Sequence, residues 1–217
     1  MNKRNFSSLM LGALLCGIVT TGCIEKDDIE EPSKYFYYEG HSYQIVKQKK
    51  NWIEAAADAV ANGGYLAEIG SQAEQSAIWQ AILNEGIPSS YVAVPDGGGI
   101  GYIWIGAGDK WGDDDEGDWI WNGANKSGTF TLFWHGGKAG VAINGSYVNW
   151  GGTSKGSRNE PDNFTDPNLS PNGQNAAAIG LASWPAGSSS PLGIAGEWND
   201  IAESNMLYYV IEFDTSK

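Results

Sequence analysis

Two short stretches of this chain carry the oxygen-bearing side chains best suited to binding a ligand. The first, NEPDNF, sets Glu160 and Asp162 on either side of Pro161, in a region with no apolar periodicity. The second, EWNDI, adds Asn199 and Asp200 further along the chain. Hard cations such as Ca²⁺ bind clustered carboxylate and amide oxygens, which raises the question of whether the two stretches belong to one site. The alternative is a pair of acidic loops that face water.

Composition limits the classes of partner. The chain has 217 residues, 41% of them hydrophobic, which is enough for one domain with a buried core. Its formal net charge of −13 argues against nucleic acid and anionic membrane surfaces as partners. The 30 glycines and 10 tryptophans indicate a loop-rich fold that packs on large aromatic side chains.

The N-terminus has the features of a targeting segment. Lys3 and Arg4 precede the apolar run LMLGALLCGIVT, which is too short to span a bilayer. The run ends at TTGC, which resembles the lipobox of bacterial lipoproteins and predicts lipidation of Cys23 after removal of residues 1–22. An ordinary signal peptide cut nearby is the alternative.

Residues 23–34 then predict a lipid-anchored acidic tether. Its IEKDD sequence resembles the tag that sends some Gram-negative lipoproteins to the cell surface. We therefore expect an outer-membrane lipoprotein that is exposed at the cell surface. Cys16 leaves with the signal peptide and Cys23 carries the lipid, so no disulfide remains and the core must hold by packing.

The remaining sequence, residues 35–217, reads as a single domain. The opening YFYYEGHSYQIV alternates aromatic and polar residues, which predicts a strand or hairpin. NWIEAAADAVANGG predicts a helix, and its inward face consists of Trp52, Ala55, Ala56, Ala59 and Val60. A capping box of Ser71 with Glu74 opens a second helix, which turns inward Ile78, Trp79, Ile82 and Leu83.

The second half of the domain predicts short strands separated by glycine-rich turns. The candidates are YIWIGAG, GDWIWNG, GTFTLFW, YVNWGG, NAAAIGL and LYYVIEF. Two helices followed by many short strands indicate an α+β fold.

The order of these segments resembles the C-type lectin-like domain in its bacterial, disulfide-free form. The match runs from about Tyr35 to Phe213 through WIEAAADA, GGYLAEI, WIG, EGDWIWNG, YVNW, EPDN, WND and YVIEF. The resemblance implies two helices with short antiparallel strands and a long calcium- and ligand-binding loop region. It also implies that the family's two disulfides fall on Ala59 with Ile211, which could pack as an apolar contact, and on Ala176 with Glu203.

The same resemblance implies a metal site in the long loop. In sugar-binding members a cis proline, here Pro161, directs its two neighbours at one Ca²⁺ ion. The implied calcium ligands in this chain are Glu160, Asp162, Gln174, Asn199 and Asp200. Gln174 stands where the family has a glutamate, and Asp166 or Asn168 could substitute for it. A weaker implication is an auxiliary calcium near Asp109 and Glu116, for which a solvated acidic turn is the alternative.

Sugar binding is implied with a departure from the family pattern. Mannose-type sites read Glu-Pro-Asn and galactose-type sites Gln-Pro-Asp, whereas this loop is acidic on both sides of the proline. An ionised carboxylate accepts hydrogen bonds but donates none, so the loop loses a donor toward a sugar hydroxyl. The expected ligand contacts are Glu160, Asp162, Asn163, Trp184 and Asn199. Trp184 either stacks on a sugar or packs within its loop.

No catalytic set is evident in the sequence. His41 and His135 lie far apart without metal-ligand spacing, and no serine stands in a histidine-containing motif. We therefore expect a binding protein and not an enzyme. The preferred partner is a glycan or glycoconjugate bound through Ca²⁺. The alternatives are a calcium-independent, protein-binding adhesin or assembly module on the same scaffold, and an accessory subunit of an enzyme.

Overall fold

The structure is a computed structural model that describes residues 35–109, 117–128 and 130–214. The predicted signal peptide, tether, lipidated Cys23 and auxiliary ligand Glu116 lie outside these residues. The described elements are, in chain order, β1 (Phe36–Tyr38), β2 (His41–Lys50), α1 (Trp52–Ala61), β3 (Tyr65–Leu66), α2 (Gln72–Asn84), β4 (Tyr102–Asp109), β5 (Asp118–Trp121), β6 (Thr131–His135), β7 (Val141–Ala142), β8 (Ala176–Gly180), β9 (Trp198–Ile201) and β10 (Leu207–Asp214). No helix within these ranges is long and apolar enough to cross a membrane.

The strands form one mostly antiparallel sheet. The main path runs β1-β2-β10-β4-β5-β6-β7, and the pairing of β10 with β4 is parallel. β8 pairs with β4 on one side and β9 on the other, while β3 pairs with β10. In the β8–β9 ladder Ala178 lies opposite Asn199 and Ala177 opposite Asp200. A fully buried strand therefore positions two of the predicted ligands.

Helix α1 begins at a capping box that the sequence analysis did not identify. The Asn51 side chain accepts a hydrogen bond from the Glu54 N–H at 2.8 Å, and Glu54 reaches back to the Asn51 N–H. The inward prediction is confirmed for the residues Trp52, Ala55, Ala56 and Ala59. It is wrong for Val60, which is 39% exposed because it is turned about 100° around the helix from the buried Ala59, to the edge of the inward face.

Helix α2 begins at Ser71, as predicted, but the capping box is incomplete. Ser71 accepts from the Glu74 N–H at 3.1 Å, whereas the Glu74 carboxylate accepts from the Gly70 N–H and from the Tyr43 hydroxyl. Ile78 and Ile82 are buried. Trp79 is only partly buried and Leu83 is 52% exposed, so the predicted inward face was too wide at its C-terminal end.

Large aromatic side chains fill the core, as the composition indicated. Trp198 packs edge-on against Trp121 and Trp150, with ring centroids 5.6 and 5.8 Å apart. Ala59 and Ile211, at the positions of one family disulfide, are fully buried in the same apolar cluster. At the other pair, Ala176 is buried in β8, and the Glu203 carbonyl accepts from the Trp52 N–H.

Most predicted strands are present, with one exception. YVNWGG contains no named strand; Trp150 forms only an isolated bridge with Trp198. Its aromatic pattern reports burial of Trp150 against the core and not strand pairing. β3, β7 and β9 were not predicted, because strands of two to four residues carry too little periodicity.

Candidate functional site

The NEPDNF loop and β9 form one site, as the sequence predicted. The Glu160–Pro161 peptide is cis. The Asp200 carboxylate accepts hydrogen bonds from the Asn163 N–H at 2.8 Å and from the Asp162 N–H at 3.1 Å. The long loop is thus held directly on the WND strand by one buried aspartate.

Three carboxylates converge at this junction. One oxygen from each of Glu160, Asp162 and Asp200 lies within 4.8 Å of the others. Glu160 is 2% exposed and Asp200 is fully buried, while Asp162 reaches the surface. The Glu160 Oε2 atom is buried and has no hydrogen-bond partner among the described residues. A buried acceptor without a partner is costly, and a hard cation bound between these oxygens would remove that cost. The residues present therefore fit Ca²⁺.

Burial controls the ionisation of this cluster. It raises the pKa of Glu160 far above its ordinary value, and the negative charge of Asp200 raises it further. Burial also raises the pKa of Asp200 and of Asp162, although backbone N–H groups oppose both shifts. Without a cation the cluster retains protons that exposed carboxyl groups would have lost at neutral pH, whereas a divalent cation favours the ionised form.

Asn199 is placed where the sequence predicted, beside the carboxylates. Its side chain is buried and its Nδ2 donates to the Tyr102 hydroxyl at 3.0 Å. This hydrogen bond fixes the amide so that the oxygen is the group left for a cation. It also occupies one of the amide's two N–H donors, the group expected to donate to a sugar hydroxyl.

Gln174 lies beside the cluster, but its amide is committed to the protein. Oε1 accepts from the Phe164 N–H at 2.9 Å, and Nε2 donates to the Asp96 carbonyl at 2.9 Å. Gln174 therefore braces the loop in this structure, which differs from its predicted role as a metal ligand. The family's glutamate at this position would place a second carboxylate against Asp96.

The other polar residues of the loop also hold its shape. Asn163 has a positive φ of 47°, and its Oδ1 accepts from the Gln174 N–H at 2.8 Å. This contact turns the predicted ligand-binding side chain toward the protein. The Asp166 carboxylate accepts from the Asn168 and Leu169 N–H groups of its own turn. Neither Asp166 nor Asn168 substitutes for Gln174 in the carboxylate cluster.

Trp184 packs within its loop, which is the alternative to its predicted role as an exposed sugar platform. It is 1% exposed, and its Nε1 donates to Glu160 Oε1 at 2.9 Å. A β-carbon built at Gly193 would lie 2.1 Å from the indole ring, and one at Gly151 would lie 2.5 Å from it. Two glycines thus make room for the ring, which positions one oxygen of Glu160.

Two buried acids that support the site were missed by sequence reasoning. Glu197 accepts from the N–H groups of Gly152, Ser154 and Ile194 at 2.8–2.9 Å, which ties two loops to the start of β9. Asp96 accepts from the Ala202 N–H at 2.7 Å. The only sign of them in the sequence was their position: Glu197 directly precedes WND, and Asp96 directly precedes a run of three glycines.

Open space lies on both sides of the proline loop. A cleft of about 240 Å³ is lined by Glu160 and Asp162 and by the apolar residues Phe164, Pro185 and Leu192. Phe164 is 43% exposed at its rim. A second depression of about 180 Å³ is lined by Gly137, Pro161 and Asp162 among others. Asp162 is therefore reachable from both sides.

The predicted auxiliary site is described only at Asp109. Its side chain is 4% exposed, and both carboxylate oxygens accept from the Gly117 N–H, at 2.9 and 3.2 Å. This contact joins the end of β4 to the residue before β5. The partner residue Glu116 lies outside the described residues, so the auxiliary calcium stays a prediction.

The two histidines lie close to acids, in different parts of the fold. His135 Nδ1 is 2.5 Å from Asp118, across the β5–β6 pair. His41 Nδ1 is 2.8 Å from Glu212 Oε1 and 3.4 Å from Asp214 Oδ1. His41, Glu212 and Asp214 thus form a second cluster of possible metal ligands. Sequence spacing could not predict it, because its members come together only through the pairing of β2 with β10.

Comparison with known proteins identifies the fold. No protein-family model and no curated protein matches the chain, whereas many solved structures do. The carbohydrate-recognition domain of the mouse scavenger receptor C-type lectin is 17% identical, over 84% of this chain and 96% of its own, with a TM-score of 0.51. The EPNH mutant of the lectin CEL-I, a protein from Cucumaria echinata, is 21% identical over 84% and 96%, with a TM-score of 0.50. At these identities the likeness shows the fold, which is C-type lectin-like and α+β, as predicted.

Proposed function

The chain has the C-type lectin-like fold, and we propose that it is a carbohydrate-binding module whose ligand binds through Ca²⁺ at the proline loop. The observation that carries the proposal is the buried cluster of Glu160, Asp162 and Asp200, in which one Glu160 oxygen has no partner in the protein. A structural carboxylate at this depth would be saturated with donors. A bound cation would give this oxygen the partner that it lacks.

Some residues of the site would bind calcium, and others hold the loop in shape. Glu160, Asp162, Asn199 and Asp200 would hold the calcium through side-chain oxygens, and Trp184 keeps Glu160 aimed at the site. When bound, calcium would supply a Lewis-acidic position for hydroxyl oxygens. Gln174 and Asn163 act as braces that hold the loop in shape.

A polyol suits the acceptors at this site. A hydroxyl bound to calcium donates its proton readily, and Asp162 and Glu160 are acceptors for two neighbouring hydroxyls. The apolar wall at Phe164 and Leu192 suits the C–H face of a sugar ring. The cleft of about 240 Å³ fits a terminal sugar residue more readily than a long helix or strand of a protein partner.

A glycan screen in calcium and in EGTA tests this function. We expect the wild-type chain to bind at least one glycan class in calcium and to release it in EGTA. Asp200→Asn should lose that binding because it removes a buried carboxylate from the cluster. Asp166→Asn, a change in the same loop but outside the cluster, should retain it. Calcium-independent capture of a protein partner, with no glycan bound, would favour the adhesin or assembly function instead.

We further propose that the module is displayed at the bacterial surface through a lipid on Cys23 and that it catalyses no reaction. The support is the TTGC sequence and the acidic stretch that follows it. Cys23→Ser should abolish incorporation of labelled palmitate. External protease should remove the wild-type domain from intact cells.

A further inference from the structure

A cationic depression adjoins the proline loop. Lys138, Thr153, Gly156 and Arg158 line a pocket of about 180 Å³. The Thr153 Oγ1 atom is buried and has no hydrogen-bond partner among the described residues. Two cations and an unsatisfied hydroxyl around one depression are the donors that an oxyanion requires.

The cations of this pocket keep donors that a ligand could use. Lys47 and Lys50 form ion pairs with Glu85 and Asp58. Lys138, by contrast, forms no hydrogen bond or ion pair within the described ranges, and its side chain is exposed. Its three N–H donors are therefore open to an anionic ligand.

Arg158 is held in place without losing its charge to a partner. Its guanidinium lies 4.7 Å from the centre of the Trp134 ring, and one nitrogen donates to the Gly140 carbonyl at 3.3 Å. Both contacts leave further N–H donors unused, since a guanidinium has five. A stacked arginine with spare donors is suited to bidentate recognition of a planar carboxylate or a sulfate.

The depression lies next to the proposed calcium site. Arg158 precedes Glu160 by two positions, and a β-carbon built at Gly137, beside Lys138, would lie 3.4 Å from the Pro161 carbonyl. The Lys138 charge is close enough to lower the pKa of both Glu160 and Asp162. Gly137 also lines the depression that contains Pro161 and Asp162. One oligosaccharide can therefore span both places.

We propose that Lys138, Arg158 and Thr153 form an oxyanion subsite that selects acidic glycans, those carrying a carboxylate or sulfate beside the calcium-bound sugar. The proposal rests on the proposed lectin function for the neighbouring sugar. The subsite supplies the donors that the acidic proline loop lacks. It also explains how a strongly acidic protein would attract an acidic ligand at one point of its surface.

Matched pairs of charged and neutral glycans test the subsite in the full-length chain. Trigalacturonate and its fully methyl-esterified form differ in carboxylate charge, and a heparin octasaccharide and its desulfated form differ in sulfate. For at least one pair, calorimetry in calcium should show the charged member binding about tenfold more tightly, the effect of one charge-assisted contact. Arg158→Gln and Lys138→Gln should each remove that preference. The control Lys155→Gln should keep it, because Lys155 is outside the pocket and donates to the Pro191 carbonyl.

The experiment distinguishes a failure of the oxyanion subsite from a failure of the proposed calcium-dependent sugar binding. Equal affinities for charged and neutral members in both pairs, or no binding of any charged member, would overturn the subsite. An equal loss of preference in Lys155→Gln would also overturn it, because the effect would then be one of general surface charge. A charge preference that EGTA leaves unchanged would uphold the subsite while contradicting calcium-dependent sugar binding. Arg158→Gln is the sharper variant, since Lys138 also acts on the ionisation of the calcium ligands.

Discussion

Glu160 and Glu197 are two buried glutamates in the same loop region, and their surroundings are opposite. Both are almost inaccessible, at 2% and 3% exposure. Glu197 accepts hydrogen bonds from three backbone N–H groups through both oxygens. Glu160 accepts one from Trp184 and leaves Oε2 without a partner. The two glutamates are equally buried but differ in how many hydrogen bonds they accept. This difference distinguishes an acid with a structural role from one that is suited to binding a ligand.

The difference follows from what each carboxylate faces. Glu197 meets N–H groups of two loops that have no other acceptor, so its charge is compensated locally. Glu160 meets two further acids, Asp162 and Asp200, so its charge is compounded. At Glu197 the backbone N–H groups compensate the charge without a cation, and these hydrogen bonds hold the loops together. At Glu160 the neighbouring acids add further negative charge, so the stability of the proline loop depends on a cation.

Removing the structural acid should have the largest effect. Glu197→Ala leaves three buried or half-buried N–H groups without an acceptor, and we expect it to lower the free energy of unfolding by about 3 kcal/mol. Because the lost contacts do not involve the carboxylate cluster, saturating calcium should not restore the loss. Chemical denaturation with and without calcium measures both quantities. Full recovery in calcium would show that Glu197 belongs to the metal site.

Restoring the family's glutamate beside the site should have an intermediate effect. Gln174→Glu replaces the donor to Asp96 with a carboxylate, and we expect a loss of about 2 kcal/mol in EGTA. The same denaturation experiment checks it. Asn172→Asp, an acid introduced at an exposed position of the same segment, is the control. If Gln174→Glu is neutral in EGTA and binds calcium more tightly, the position is a ligand and not a brace.

The pH dependence of stability should also separate the cluster from the rest of the protein. The pKa values of Glu160, Asp162 and Asp200 are raised in the folded state, so the folded chain holds more protons than the unfolded chain. Their contribution is complete below the ordinary carboxyl pKa of about 4 and is lost as pH rises from there through neutrality. We expect a decline of about 1 kcal/mol or more between pH 5 and 8 in EGTA.

Calcium should reverse this decline, because it binds the ionised carboxylates and its affinity rises with pH. Glu212, whose pKa burial raises to about 7, adds a loss of the same sign that calcium at the loop does not reverse. The difference between the calcium and EGTA profiles therefore isolates the cluster. Thermal melts across this pH range measure it. Parallel profiles would contradict the assignment.

The sequence predicted the parts of this fold that periodicity and motif order control. The inward face of α1 follows from the helical spacing of Trp52, Ala55, Ala56 and Ala59. The meeting of NEPDNF with WND followed from the ordered resemblance to C-type lectin-like domains. The inward predictions for Val60 and Leu83 were wrong because periodicity gives the centre of a buried face but not its width; each follows a buried residue, Ala59 or Ile82, and is turned about 100° away from it.

The supporting contacts of the site were beyond sequence reasoning for a different reason. Which N–H groups Glu197 accepts, and which carbonyl Gln174 donates to, depends on loop paths that have no repeating pattern. Trp184 was ambiguous because its burial depends on Gly151 and Gly193, which lie 33 residues before and 9 residues after it. Glycines that make room for a ring leave no signal of that role in the sequence.

Thermal unfolding with calcium titrated against EGTA, on wild type and Glu160→Gln, tests the central claim most directly. Glu160→Gln keeps an oxygen for Trp184 and removes the carboxyl group whose raised pKa costs stability at neutral pH. The matched control is Glu85→Gln, which changes a glutamate paired with Lys47. We predict that calcium at about 100 times its Kd stabilises the wild type and the control by about 3 kcal/mol, and that Glu160→Gln melts higher than the wild type in EGTA but loses this response. A wild type unaffected by millimolar calcium, or a Glu160→Gln variant that responds equally, would contradict the account.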